Sequence, residues 1–95
     1  MYVVFKDNKQ VMISDYFSLV EYLKDNKYAD SILNTLKEHG CYTDNIFSTK
    51  LIIIEPETFE TIFTKYGFPK YPAYLIIEEY MKQHYRNKKV LNIIK

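Results

Sequence analysis

Leu51-Ile52-Ile53-Ile54-Glu55-Pro56-Glu57-Thr58-Phe59-Glu60-Thr61-Ile62-Phe63 reads as a strand that passes directly into a helix. Its first four residues are a continuous, mostly β-branched apolar run, the pattern of a strand covered on both faces. Pro56 stands where a first helical residue is favoured, because its missing N–H is one the helix could not use. Glu57 and Glu60 complement the positive end of the helix dipole. Phe59, Ile62, Phe63 and Tyr66 then fall at i, i+3, i+4 and i+7, one apolar stripe turned toward a sheet, and Gly67 follows as the stop. A covered strand and a one-sided helix together call for a domain in which helices pack on a sheet.

Toward the amino terminus, Tyr2 to Lys6 and Gln10 to Ser14 are two short β-rich runs. Asp7-Asn8-Lys9 between them reads as a tight turn, so the pair predicts a β-hairpin. Ser18 followed by Glu21 matches a capping box, with Phe17 and Tyr22 at the flanking apolar positions and helical spacing up to about Asn26. Asp30 is a candidate cap for further helix carrying Ile32, Leu33 and Leu36 and ending at Gly40. The two segments read equally as two helices or as one bent helix. Residues 41 to 49 are polar and aperiodic and read as a loop.

Toward the carboxy terminus, Tyr74-Leu75-Ile76-Ile77 admits two readings. It fits a strand. It also fits a helix opened by Pro72 or Ala73 and braced by a Glu78–Lys82 pair at i, i+4. Arg86-Asn87-Lys88-Lys89 reads as a basic turn and Val90 to Ile94 as a last strand. The expected fold is one small α/β domain over residues 1–95, with a mixed sheet of about four strands and three or four helices.

The stretch Lys65-Tyr66-Gly67-Phe68-Pro69-Lys70-Tyr71-Pro72-Ala73, followed by Tyr74 to Ile77, resembles the second half of a thioredoxin-like fold. The resemblance covers roughly residues 51 to 77. It implies that Pro72 is the cis-proline of that fold, that Gly67 closes the preceding helix, and that residues 74–77 form an inner strand. The chain has no Cys-x-x-Cys and begins with a hairpin, so the resemblance implies a rearranged, redox-silent version.

Composition narrows the function classes. The chain has 95 residues, 47% of them hydrophobic, with two glycines and three prolines, which is globular and leaves no room for a linker. The longest apolar run is four residues, against roughly 20 needed to span a bilayer. A charged residue arrives by Lys6, too early for a signal peptide. A single cysteine allows no internal disulfide. These observations predict a cytoplasmic protein with no membrane contact. Lysine outnumbers arginine twelve to one, and Ile, Asn and Tyr abound, a bias that fits an AT-rich genome such as that of a low-GC bacterium or its phage.

Sites that would carry chemistry are few. Cys41 is a candidate reactive thiol only if a cation or helix end lowers its pKa, and His39 two residues away does not establish that. His39 and His84 make no metal set, and no cofactor is expected. Glu55, Glu57 and Glu60 cluster where a helix start favours them, and Glu78-Glu79 reads as a solvated face. No Gly-rich phosphate loop is present.

The most suggestive segment is Tyr80-Met81-Lys82-Gln83-His84-Tyr85-Arg86-Asn87-Lys88-Lys89. Tyr80, Lys82, His84, Tyr85, Arg86, Lys88 and Lys89 interleave rings with cations, and Lys82 to Lys95 contains five basic residues and no acidic one. Such a face suits an acidic protein surface, where Tyr and Arg serve as anchors. It also suits single-stranded nucleic acid, whose phosphates track cations while bases stack on rings. The expected function is therefore a non-catalytic module that binds another protein stoichiometrically, by analogy with phage- or mobile-element-encoded modulators that cover a host protein's site. Single-stranded nucleic-acid binding and a thiol-dependent redox adaptor through Cys41 are the alternatives. A homodimer burying some of the ten tyrosines is a further expectation.

Overall fold

The computed structural model describes residues 1–47, 50–63 and 70–94, with the side chains of residues 63 and 85–94 left aside. Two strands open the chain, β1 (Tyr2–Lys6) and β2 (Lys9–Ser14). Helices α1 (Tyr16–Leu23) and α2 (Ala29–His39) follow, then β3 (Cys41–Thr43), β4 (Leu51–Ile54), α3 (Pro56–Phe63) and α4 (Pro72–Ile94). The sheet runs β2-β1-β4-β3. All three pairings are antiparallel, so the sheet is not mixed.

The hairpin forms as the sequence predicts. Asp7 and Asn8 adopt φ of 51° and 67°, the left-handed pair that a two-residue turn needs to match strand twist. The Asp7 N–H donates to the Lys50 carbonyl at 3.0 Å and ties the turn to the start of β4. The register slips between Val4 and Phe5, leaving Val11 as a bulge in β2.

Alternation along the central strands sorts the core into two layers. Val4 and Ile53 point to one face, where Leu19 and Leu23 of α1 and Ile32 and Leu36 of α2 cover them. Val3, Phe5, Ile52 and Ile54 point to the other, under Phe59 of α3 and Ala73, Ile77 and Met81 of α4. The run 51–54 is thus buried from both sides, as its unbroken apolar pattern requires.

Several boundaries differ from expectation. The cap of α1 is Asp15, whose Oδ1 accepts the Ser18 N–H at 2.8 Å; Ser18 and Glu21 do not form the capping box. Asp wins because it stands directly before the first helical residue with an extended backbone. Phe17 and Tyr22 are exposed and staple nothing. Asp30 lies in the first turn of α2, whose preceding residue Tyr28 makes no side-chain cap, and a turn separates the two helices. Gly40 ends α2 in the left-handed conformation, φ 75°, as its position predicts.

Residues 41–43 belong to the sheet and not to a loop. The Gly40 reversal delivers Cys41 opposite Ile54, and a three-residue strand is too short to show a period. Glu55 N–H donates to the Gly40 carbonyl at 2.7 Å and extends that junction.

The largest correction is α4. Residues 74–77 take the helical one of their two readings, against the inner strand that the thioredoxin-like resemblance implies, and residues 90–94 are helical too, with neither a basic turn at 86–89 nor a last strand. Pro72 is the first residue of α4, and no peptide bond among the described residues is cis. Twenty-three residues without an internal Gly or Pro propagate as helix once Pro72 has fixed the first turn. Ala73, Ile77 and Met81 recur every fourth residue and are buried, so the packing rewards a helical period over a strand period. Gly67 lies outside the described residues. No described helix is long and apolar enough to cross a membrane.

Candidate binding groove

Helix α4 lies on the sheet with one row buried, and the next row over borders a groove. At 100° per residue, Ile76, Tyr80 and Gln83 fall on the flank beside that row, and Lys82 falls on the outward side. Tyr80 and Ile76 pack partly against the core, whereas Lys82 is exposed and lies 3.6 Å from Glu78.

The flank carrying Tyr80 does not reach across edge strand β2. Ile13, paired with Val3 on a face that is buried elsewhere in the sheet, is left 50% exposed. The result is a groove between α4 and β2. Its deeper part, about 350 Å³, has a floor of Val3, Ile13 and Pro56, with Tyr80 and His84 as the helical wall. A second hollow of about 240 Å³ continues on the other side of Tyr80, past Phe5 and Gln10.

Rings brace the wall. Tyr80 meets Phe5 edge-on at 5.9 Å and lies stacked on His84 at 6.2 Å, 20° between planes. Burial pushes the Tyr80 hydroxyl above its ordinary pKa, so it is neutral at physiological pH and presents a hydrogen-bonding tip on an apolar body.

Carboxylates mark the rim. Glu57 stands at the deep end beside Glu55, and Glu79 stands at the shallow end. Glu55 is mostly buried, with its side chain 14% exposed; its Oε2 accepts the Thr58 N–H at 2.6 Å and caps α3, while Oε1 lies 4.0 Å from the amino-terminal ammonium. The groove therefore has an apolar floor, an aromatic wall and an acidic rim.

Of the sequence-predicted residues, the structure brings Tyr80 and His84 together in this groove and sends Lys82 to the opposite side of the helix. The side chains of Tyr85, Arg86, Lys88 and Lys89 lie outside the described residues, although their backbone is helical. Sequence reasoning missed Ile13, Val3, Pro56 and Glu57. The consecutive apolar residues Val11-Met12-Ile13 were the available signal: a run of that kind on an edge strand leaves one face looking for cover.

Comparison with protein-family models, curated proteins and solved structures finds no match to this chain. The geometry therefore carries the functional argument. Cys41 is buried 5% exposed, and desolvation pushes its thiol up to about 11. A thiol at that value is almost wholly protonated at neutral pH and a poor nucleophile. Among the described residues no cluster of His, Cys, Asp and Glu is arranged to hold a metal ion.

Proposed function

We propose that this protein is a non-catalytic module that binds another protein stoichiometrically, taking a segment of its partner into the groove between α4 and β2. The observation that carries this reading is the half-exposed Ile13 beside the aromatic wall of Tyr80 and His84. Uncovered apolar surface rimmed by polar groups is how docking sites present themselves on small proteins. An apolar floor under carboxylates fits a partner segment that alternates aliphatic residues with lysine or arginine. The modulator reading follows as occlusion: seating such a segment covers whatever the partner does with it.

The groove favours protein over single-stranded nucleic acid. The rings that would stack on bases are engaged with Phe5 and with each other, and the charged side chains along the groove, Glu55, Glu57 and Glu79, are carboxylates. An acidic partner surface would meet the outward face of α4, where Lys82 stands, and this reading places the binding site in the groove instead.

The test is affinity capture of tagged protein from a nuclease-treated low-GC bacterial lysate, run beside the variants Ile13→Glu, Glu57→Lys and Lys82→Glu. Ile13→Glu and Glu57→Lys lower the yield of one near-stoichiometric protein at least about tenfold, a loss of about 1.4 kcal/mol, and Lys82→Glu leaves it unchanged. Loss with Lys82→Glu alone contradicts the groove reading and returns the site to the basic segment.

A further inference from the structure

The outer edge of β2 is a second uncovered surface, distinct from the groove. β2 ends the sheet, so its outward backbone groups have no strand to pair with. Between Lys9 and Asp15 the strand reads Gln-Val-Met-Ile-Ser, with no charge and no proline to repel another strand. Below this edge, on the face opposite the groove, α1 buries Leu19 and Leu23 but leaves two large aromatic residues facing outward. Phe17 is 82% exposed and Tyr22 is 44% exposed. A hollow of about 550 Å³ lies beside them, lined by Met12, Phe17, Ser18, Glu21 and Tyr22.

We infer that this edge binds a second copy of the same chain, forming a two-fold dimer in which β2 lies antiparallel to its counterpart. Three features make the surface complementary to itself. A two-fold axis near Met12 sets Lys9 of one copy toward Asp15 of the other, at both ends of the contact. The same patch is apolar on both copies: the Phe17 ring projects from α1 at the side of a shallow, open hollow along Met12 and Tyr22, against which the other copy's Phe17 ring can lie. The bulge at Val11 lies beside the axis and breaks the regular edge, so backbone pairing is short and open-ended stacking of further strands is opposed. Side-chain packing around Phe17 then supplies most of the contact, as aromatic anchors do at interface centres. The axis runs through the sheet, so both grooves open on the same side of the dimer and each remains free.

Sedimentation and a mutation at Phe17 test this without touching the groove. At about 0.1 mM protein, enough to populate a dimer of micromolar dissociation constant, the unaltered chain sediments at twice 11.5 kDa. Phe17→Glu halves that mass with an unchanged circular dichroism spectrum, because the ring supports nothing within its own chain's core. Glu57→Lys, which alters the groove, stays dimeric. Met12→Cys places a half-buried thiol next to its counterpart across the axis and forms an interchain disulfide on oxidation, while Cys41, on the far edge of the sheet, stays buried. An unaltered chain that sediments at 11.5 kDa, or a dimer that Phe17→Glu does not dissociate, overturns the inference and leaves the patch to a different protein.

Discussion

Gly40 holds the junction on which both layers of the core depend. Its φ of 75° is the left-handed region that side chains rarely enter, and its carbonyl accepts the Glu55 N–H. A Cβ built there would stand 2.2 Å from the Phe59 nitrogen and 2.6 Å from its Cα, both backbone atoms that cannot swing aside. Gly40→Ala therefore meets conformational strain and a backbone clash together, and the cost is at least about 2 kcal/mol in urea unfolding. A loss under about 0.5 kcal/mol, the size of an ordinary surface change, would show that α2 and α3 are not pressed together at that point. The position was legible as a helix stop from sequence, because glycine after a periodic stretch has a mechanism. The close approach of α3 was not, since it depends on residues nearly twenty positions away.

Helix α1 shows how a single cap couples an element to pH. Asp15 accepts the Ser18 N–H, and that hydrogen bond holds its carboxyl below the ordinary value of 3.8. A depressed carboxylate contributes stability that is complete above its unfolded pKa and is lost as pH falls through the folded one. The midpoint of thermal unfolding should thus drop as pH falls from 5 to about 2, with Asp15 contributing part of the slope. Asp15→Asn keeps an oxygen acceptor without the titration, and calorimetry across that range should find a shallower slope; an unchanged slope would contradict the assignment of the cap. Sequence reasoning placed this helix but chose Ser18 and Glu21, since S-x-x-E is a stronger textual signal than a lone Asp. At α4 it left residues 74–77 open between strand and helix and misread 86–94 as a turn and a strand. Tyr-Leu-Ile-Ile and Val-Leu-Asn-Ile-Ile have strand-like local composition, and short apolar runs do not separate the two periods. The buried row Ala73, Ile77 and Met81 decides in favour of helix, and that row is recognisable only when the stretch is read as a whole.

On the scale of the molecule, the fold class was legible because its main evidence is local: an apolar run covered on both sides, a helix with a one-sided stripe, and a hairpin turn. The antiparallel order β2-β1-β4-β3 was not, because strand order is a matter of long-range pairing. The same limit explains the half-found site. Tyr80 and His84 stood out as rings in a basic segment, yet their neighbours in space are Ile13, Val3 and Pro56, drawn from three other elements. The charges that attracted attention lie elsewhere on the helix, Lys82 on its outward side. What the architecture offers is an uncovered edge of the sheet with two faces, one a groove under α4 and the other an aromatic patch beside α1.

The central claim is that α4 binds through its sheet-facing flank and not through its basic side. Photo-crosslinking measures this directly, with benzoylphenylalanine placed at Tyr80 in one variant and at Lys82 in another. The account predicts a crosslink from position 80 to a single different protein and none from position 82. A crosslink from position 82 alone, to protein or to nucleic acid, would contradict it.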